Sequence, residues 1–209
     1  MRIVNILFFM LLAVSCFSQE SFSLVENPDI LSQEIKSQSD KTFSIRSDFE
    51  QRKHLSMLEE TLISNGSFAY KKENDVKWQY SYPFNYTIVI SNGKFLIDNE
   101  GKSSEFDINS NEMFKQINKM IVTAISGDFI GNDDFEVSFY KNEKYYLAEL
   151  RPKDIFVEDM LKSINIYFSK DKFIVEKVKF VEPGDDFTLI IFKNREQNIK
   201  FSDNEFNIN

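Results

Sequence analysis

The sequence predicts a mainly β (α+β) fold: a single curled antiparallel sheet of about eleven strands forming an incomplete barrel, with helices as a plug or lid over a hydrophobic cavity. Three observations carry this. From Gly66 to Pro83, Phe68 and Tyr70, then Val76, Trp78, Tyr80 and Tyr82, alternate with polar residues. Period-two alternation of bulky rings marks an antiparallel hairpin with one apolar face. The chain holds 22 Phe and 8 Tyr but only 6 Gly and 4 Pro, which favours long strands over a loop-rich module. Finally, Met113, Ile117, Met120, Ile121, Ala124 and Ile125 recur at helical spacing between Ser110 and Ser126, and Gly127 stops the run.

In chain order, residues 1–18 read as a signal peptide. Arg2 supplies the positive region, Ile6 to Val14 is an apolar run too short to span a bilayer, and Ser15 and Ser18 precede Gln19. Cleavage is expected after Ser18, leaving one domain over 19–209. Ala13-Val14-Ser15-Cys16 also partly resembles a lipobox, which would make Cys16 a lipid anchor. A helix is expected from Asn27 to Lys41, with Asn27 as cap, Pro28 in the first turn and Asp29 at the positive end of the dipole. Strands are expected from Thr42 to His54, with Phe43, Ile45 and Phe49 in phase, then at 58–72, 75–82 and 85–91. Asn92-Gly93 is a strong hairpin-turn signal, Gly101 sits in the next turn, and Glu105 to Ile108 pairs back.

Beyond the helical segment, alternation returns at 135–140, 144–151, 163–169, 173–182 and 187–193. Lys141-Asn142-Glu143, Lys170-Asp171-Lys172 and Pro183-Gly184-Asp185 supply the turns. A last short strand is expected around Ile199 and Phe201 or Phe206 and Ile208. So many antiparallel strands curl rather than lie flat. The Met/Ile face of the inserted helix can be buried only inside that curl or across its mouth.

Little in the chain supports catalysis or metal chemistry. His54 is the one histidine and Cys16 the one cysteine, so a paired-imidazole or thiolate metal site cannot form. There is no nucleophile elbow or phosphate-cradling loop. The acidic groups at Asp128, Asn132, Asp133 and Asp134, and at Glu182, Asp185 and Asp186, lack calcium-loop spacing. The sequons at Asn65 and Asn85 fall in expected strands and are discounted. A net charge of −8 argues against nucleic acid and anionic lipid surfaces as partners. We expect a binding protein: not an enzyme, with no cofactor and no metal.

Five local patterns, in order, resemble a known family. They are Phe49-Glu50-Gln51; Gly66-Ser67-Phe68-Ala69-Tyr70; Trp78-Gln79-Tyr80 leading to Pro83; Ile90-Ser91-Asn92-Gly93-Lys94; and Leu150-Arg151-Pro152-Lys153. Together, from about Asp40 to Asp203, they look like the periplasmic outer-membrane lipoprotein carrier proteins, the LolA-like family. The resemblance implies an eleven-stranded incomplete barrel whose cavity takes the acyl chains of lipoproteins, or another lipid, between an inner-membrane release complex and an outer-membrane acceptor. It implies a monomer in the periplasm. It also implies a lid-holding cation before the Trp strand, where the family has arginine and this chain has Lys72, which lacks the planar guanidinium fork.

On physical grounds a lipid carrier needs an apolar concavity, since burying an acyl chain is worth ~0.8 kcal/mol per CH2. It also needs a mobile cover, for which methionine is suited, and a hydrophilic outside. The expected cavity residues are Phe49, Phe68, Tyr70, Trp78, Tyr80, Tyr82, Ile88, Met113, Ile117, Met120 and Ile121, with Lys72 as lid contact. Two other readings stay open: an outer-membrane acceptor anchored through Cys16, and a lipid-sensing regulatory module.

Overall fold

A computed structural model describes residues 21–72, 75–107, 122–123, 129–131 and 133–207. The first long strands form a meander: β2 (Ser44–Leu55), β3 (Glu60–Lys71), β4 (Asp75–Tyr82), β5 (Tyr86–Ser91), β6 (Lys94–Asn99) and β7 (Lys102–Asp107). A second meander follows: β8 (Phe135–Lys141), β9 (Tyr145–Pro152), β10 (Ser163–Ser169), β11 (Val175–Val181) and β12 (Phe187–Gln197). A two-residue strand, β1 (Ser23–Leu24), pairs with β8. Among the described residues the α-helices are α1 (Pro28–Asp40) and a single turn, α2 (Ile155–Glu158), and Val122 and Thr123 are also helical.

All twelve strands belong to one antiparallel sheet, ordered β1-β8-β9-β10-β11-β12-β2-β3-β4-β5-β6-β7. The sheet is curled and not closed. The two meanders meet through β12 and β2, where Ile190 faces Gln51 and Phe192 faces Phe49. The free edges are blunted: β1 is two residues long, and β7 is exposed throughout with Lys102, Glu105 and Asp107 on it, which discourages edge-to-edge pairing.

Hairpin chemistry explains the register. Asn92 and Gly93 have φ of 52° and 73°, and Glu100 and Gly101 have φ of 52° and 83°. Each pair connects directly opposed residues, Ser91 with Lys94 and Asn99 with Lys102. Two positive-φ residues between adjacent strands make the turn whose twist matches that of the sheet.

Several expectations need correction. The twelfth strand is β1, whose two residues carry too little alternation to register as a strand. The tail expected to form a last strand lies instead as a strap on the outer face: Phe206 and Phe201 pack on Ala69, Val89 and Leu96, and Lys77 Nζ donates to the Glu205 carbonyl at 3.1 Å. Asn27 makes no side-chain cap bond. Phe43 lies ahead of β2 and is 59% exposed, and its backbone N–H donates to Asn198 Oδ1 at 2.8 Å. The helix expected over Ser110–Ser126 lies outside the described residues except for Val122 and Thr123, which are helical.

Candidate functional site

The register places alternate residues from both meanders on one inner face. One row runs Phe139, Ala148, Ile166, Val178, Ile190, Gln51, Ser64 across β8 to β3. Two more cross the first meander: Phe192, Phe49, Gly66, Tyr80, Tyr86, and Ser47, Phe68, Trp78, Ile88, Ile97. Directly opposed residues share a face, so these rows follow from pairing alone.

Two clusters divide this face. Over β8–β11 aliphatic residues, with Ala148, Leu150, Ile164 and Ile166 fully buried, interleave with Phe135, Phe139 and Phe168, and α1 covers them through Leu31 and Ile35. Beneath α1, Arg195 Nη1 donates to the Val175 carbonyl at 2.7 Å, while its Nε is buried without a partner. Burial lowers the Arg195 pKa to about 10, and a void of about 20 Å³ lies beside it, room for one water.

Over β2–β6 the face is aromatic. Phe49 meets Trp78 and Tyr80 edge-on, with centroids 4.9 and 5.0 Å away. Phe68 packs on Trp78 at 4.6 Å and on Phe192 at 5.5 Å. Such pairs contribute ~0.5–1.5 kcal/mol each beyond area burial. Tyr80 and Tyr86 stack at 4.1 Å, and Tyr80 donates its hydroxyl to Gln51 Oε1 at 2.9 Å. Burial pushes both phenols up, and a hydrogen bond with Tyr80 offsets part of the rise at Tyr86. Among the described residues, Trp78 Nε1 is buried with no hydrogen-bond partner.

Gly66 is required by space, not by φ. A Cβ there would sit 2.0 Å from the Gln79 carbonyl oxygen and 2.9 Å from Phe49 Cε1. The missing side chain lets the Phe49 ring lie over the strand and lets β4 approach. Toward the β2–β3 end the inner face turns polar, where Lys53 pairs with Glu182 at 2.5 Å and Thr188 Oγ1 donates to Glu182 Oε1 at 3.1 Å.

The expected site residues fall into three groups. Phe49, Phe68, Tyr70, Trp78 and Tyr80 are buried in the aromatic cluster, and Ile88 packs half-buried against it. Tyr82 does not join them and is 58% exposed. The cause is a bulge: Gly66 pairs with Tyr80 but Asn65 pairs with Tyr82, leaving Ser81 unmatched. Asn65 belongs to the opposite face, with Glu50, so Tyr82 is turned away from Tyr80. Met113, Ile117, Met120 and Ile121 lie outside the described residues. Lys72 reaches the C-terminal end of α1, with Nζ 3.5 Å from the Asp40 carbonyl and 5.5 Å from the Phe43 ring centroid; the Ser110–Ser126 helix it was expected to hold lies outside the described residues.

The reading of the sequence missed Ile45, Ile90, Phe95, Ile190 and Phe192, all on the aromatic face. Their alternation was visible. What was hidden was that β12 lies beside β2. Val122 also packs on this cluster. On the outer face of the same strands lies a depression of about 640 Å³ lined mainly by polar side chains, among them Asp48, Ser67, Gln79, Thr87, Asp98 and Lys193. That lining suits water, so the apolar candidate site is the inner face.

Residues 40–209 match the model of the family described as outer membrane lipoprotein carrier protein LolA. The chain belongs to the LolA family. Its curled open sheet is similar to solved structures at very low identity. An uncharacterized conserved protein from Thermus thermophilus has a TM-score of 0.50 at 6% identity, over 87% of this chain and 93% of that one. A LolA superfamily protein from Nitrosomonas europaea has a TM-score of 0.43 at 10% identity, over 84% and 96%. The Mycobacterium tuberculosis lipoprotein LppX has a TM-score of 0.43 at 9% identity, over 83% and 97%. No curated protein matches the chain. Among the described residues no helix is long and apolar enough to cross a membrane.

Proposed function

We propose that this LolA-family protein is a monomeric periplasmic carrier that takes up the acyl chains of lipoproteins, or of another lipid, on its aromatic inner face. It receives them from an inner-membrane release complex and delivers them to an outer-membrane acceptor. The observation that carries this reading is the inner face itself: a contiguous, mainly aromatic cluster over β2–β6 and β12, on a sheet that does not close. A lipid tail leaving a bilayer loses ~0.8 kcal/mol per CH2 unless it is shielded, and this surface supplies apolar area without a catalytic group. Residues 1–18 direct the chain across the inner membrane, and the net charge of −8 keeps the loaded protein off anionic bilayers.

The test has two parts. Protein purified from its native envelope should carry lipid or lipoprotein detectable by mass spectrometry. That protein should also move radiolabelled cargo between two separable membrane preparations. Tight binding with no movement would overturn carriage and leave a lipid-sensing module. Mass spectrometry of the mature N-terminus should read Gln19; a diacylated Cys16 would instead identify an anchored acceptor.

A further inference from the structure

We infer that Trp78 is a polar anchor within the apolar site, its indole N–H donating to the ester or amide carbonyl that heads an acyl chain. The inference rests on the acyl-binding reading above and names the residue that would meet the carbonyl of the acyl chain. A buried donor without an acceptor costs ~1–3 kcal/mol, and native proteins satisfy nearly all such groups. Trp78 is 5% exposed, and among the described residues its Nε1 has no acceptor. Its described neighbours are Phe49, Phe68 and Phe192, with ring centroids 4.6–6.1 Å away.

The other orphan, Arg195 Nε, has a void beside it large enough for a water. Trp78 differs, because water needs two or more polar partners to stay in an apolar site and its ring neighbours offer none. A carbonyl on an otherwise apolar chain needs only one donor, and its hydrocarbon portion matches the surrounding rings. The nearby hydroxyl of Tyr80 is already committed to Gln51, and among the described residues the indole N–H is the buried side-chain donor of this cluster that has no partner.

Trp78 is the chain's one tryptophan, so the ¹⁵N-labelled mature protein gives one indole N–H resonance. The probes are methyl decanoate and tridecane, matched in non-hydrogen atoms. The ester should move that resonance downfield and tridecane should not. The wild-type preference for the ester should fall roughly three- to tenfold in Trp78→Phe, the size expected for one lost hydrogen bond. If methyl resonances of Ile88 and Ile90 show both probes bound while the indole stays still, the anchor is wrong and acyl binding stands. An indole resonance already shifted upfield and unmoved would mean the N–H lies against a ring face, and would also overturn the anchor. If neither probe binds, the acyl-binding reading falls and the anchor falls with it.

Discussion

The two halves of the inner face obey one pairing rule but are filled differently. Over β8–β11, Ala148, Leu150, Ile164 and Ile166 are fully buried and α1 seals them through Leu31 and Ile35. Over β2–β6, rings meet rings, a glycine replaces a side chain, and an indole N–H is left without an acceptor among the described residues. Aliphatic side chains interdigitate in every direction and make a core that resists change. Flat rings and an unmet donor are the features on which our proposal of lipid binding rests. The first half holds the fold, and the second is where we propose that the lipid binds.

The largest expected effect strikes the aromatic half at its backbone. Gly66→Ala drives a methyl into the Gln79 carbonyl, 2.0 Å away, and backbone cannot rotate aside as a side chain can. We expect a loss of roughly 4 kcal/mol, or failure to fold, measured by urea unfolding. A stability change below about 1 kcal/mol would mean that β4 is not held against β3 as described.

A paired truncation tests the division itself. Ile166→Ala, in the sealed half, should lower stability by about 3 kcal/mol through lost burial and the cavity left behind. It should leave affinity for methyl decanoate unchanged. Ile88→Ala, half-buried on the aromatic half, should cost only about 1 kcal/mol. It should weaken the probe by more than about tenfold, since about two to three buried CH2 groups are lost at ~0.8 kcal/mol each. Equal effects of the two substitutions on affinity would erase the distinction between core and site.

Much of the first meander was legible because its signals are local. Alternation placed Phe68, Trp78 and Tyr80 on one face, and Asn92-Gly93 supplied the positive-φ pair its hairpin needs. The second meander showed its strands and turns equally well. What the residues could not reveal was the seam: β12 beside β2 is a pairing across more than a hundred positions. No local propensity encodes such a pairing, so Phe192 and Ile190 were not assigned to the site. The cap at Asn27 failed for a different reason, since a capping residue type permits the bond but the entry angle of the chain decides it. The tail was misread as a strand because Phe201 and Phe206 carry strand-like apolarity, yet they serve to cover Ala69 and Val89 from outside.

The smallest effect is the most exact test of the bulge. Alternation alone gives Tyr80 and Tyr82 the same role, whereas the slip at Ser81 puts them on opposite faces. Tyr80→Phe should therefore cost about 1 kcal/mol, because Gln51 Oε1 loses the donor that reaches it at 2.9 Å. Tyr82→Ser removes a far larger group but from an exposed position, and should change stability by less than ~0.5 kcal/mol and probe affinity not at all. Thermal unfolding and probe titration of the two variants give the comparison directly. If Tyr82→Ser proves the more damaging, the ring has a partner on the inner side, the unmatched residue is not Ser81, and the aromatic face extends one residue further along β4 than the register places it.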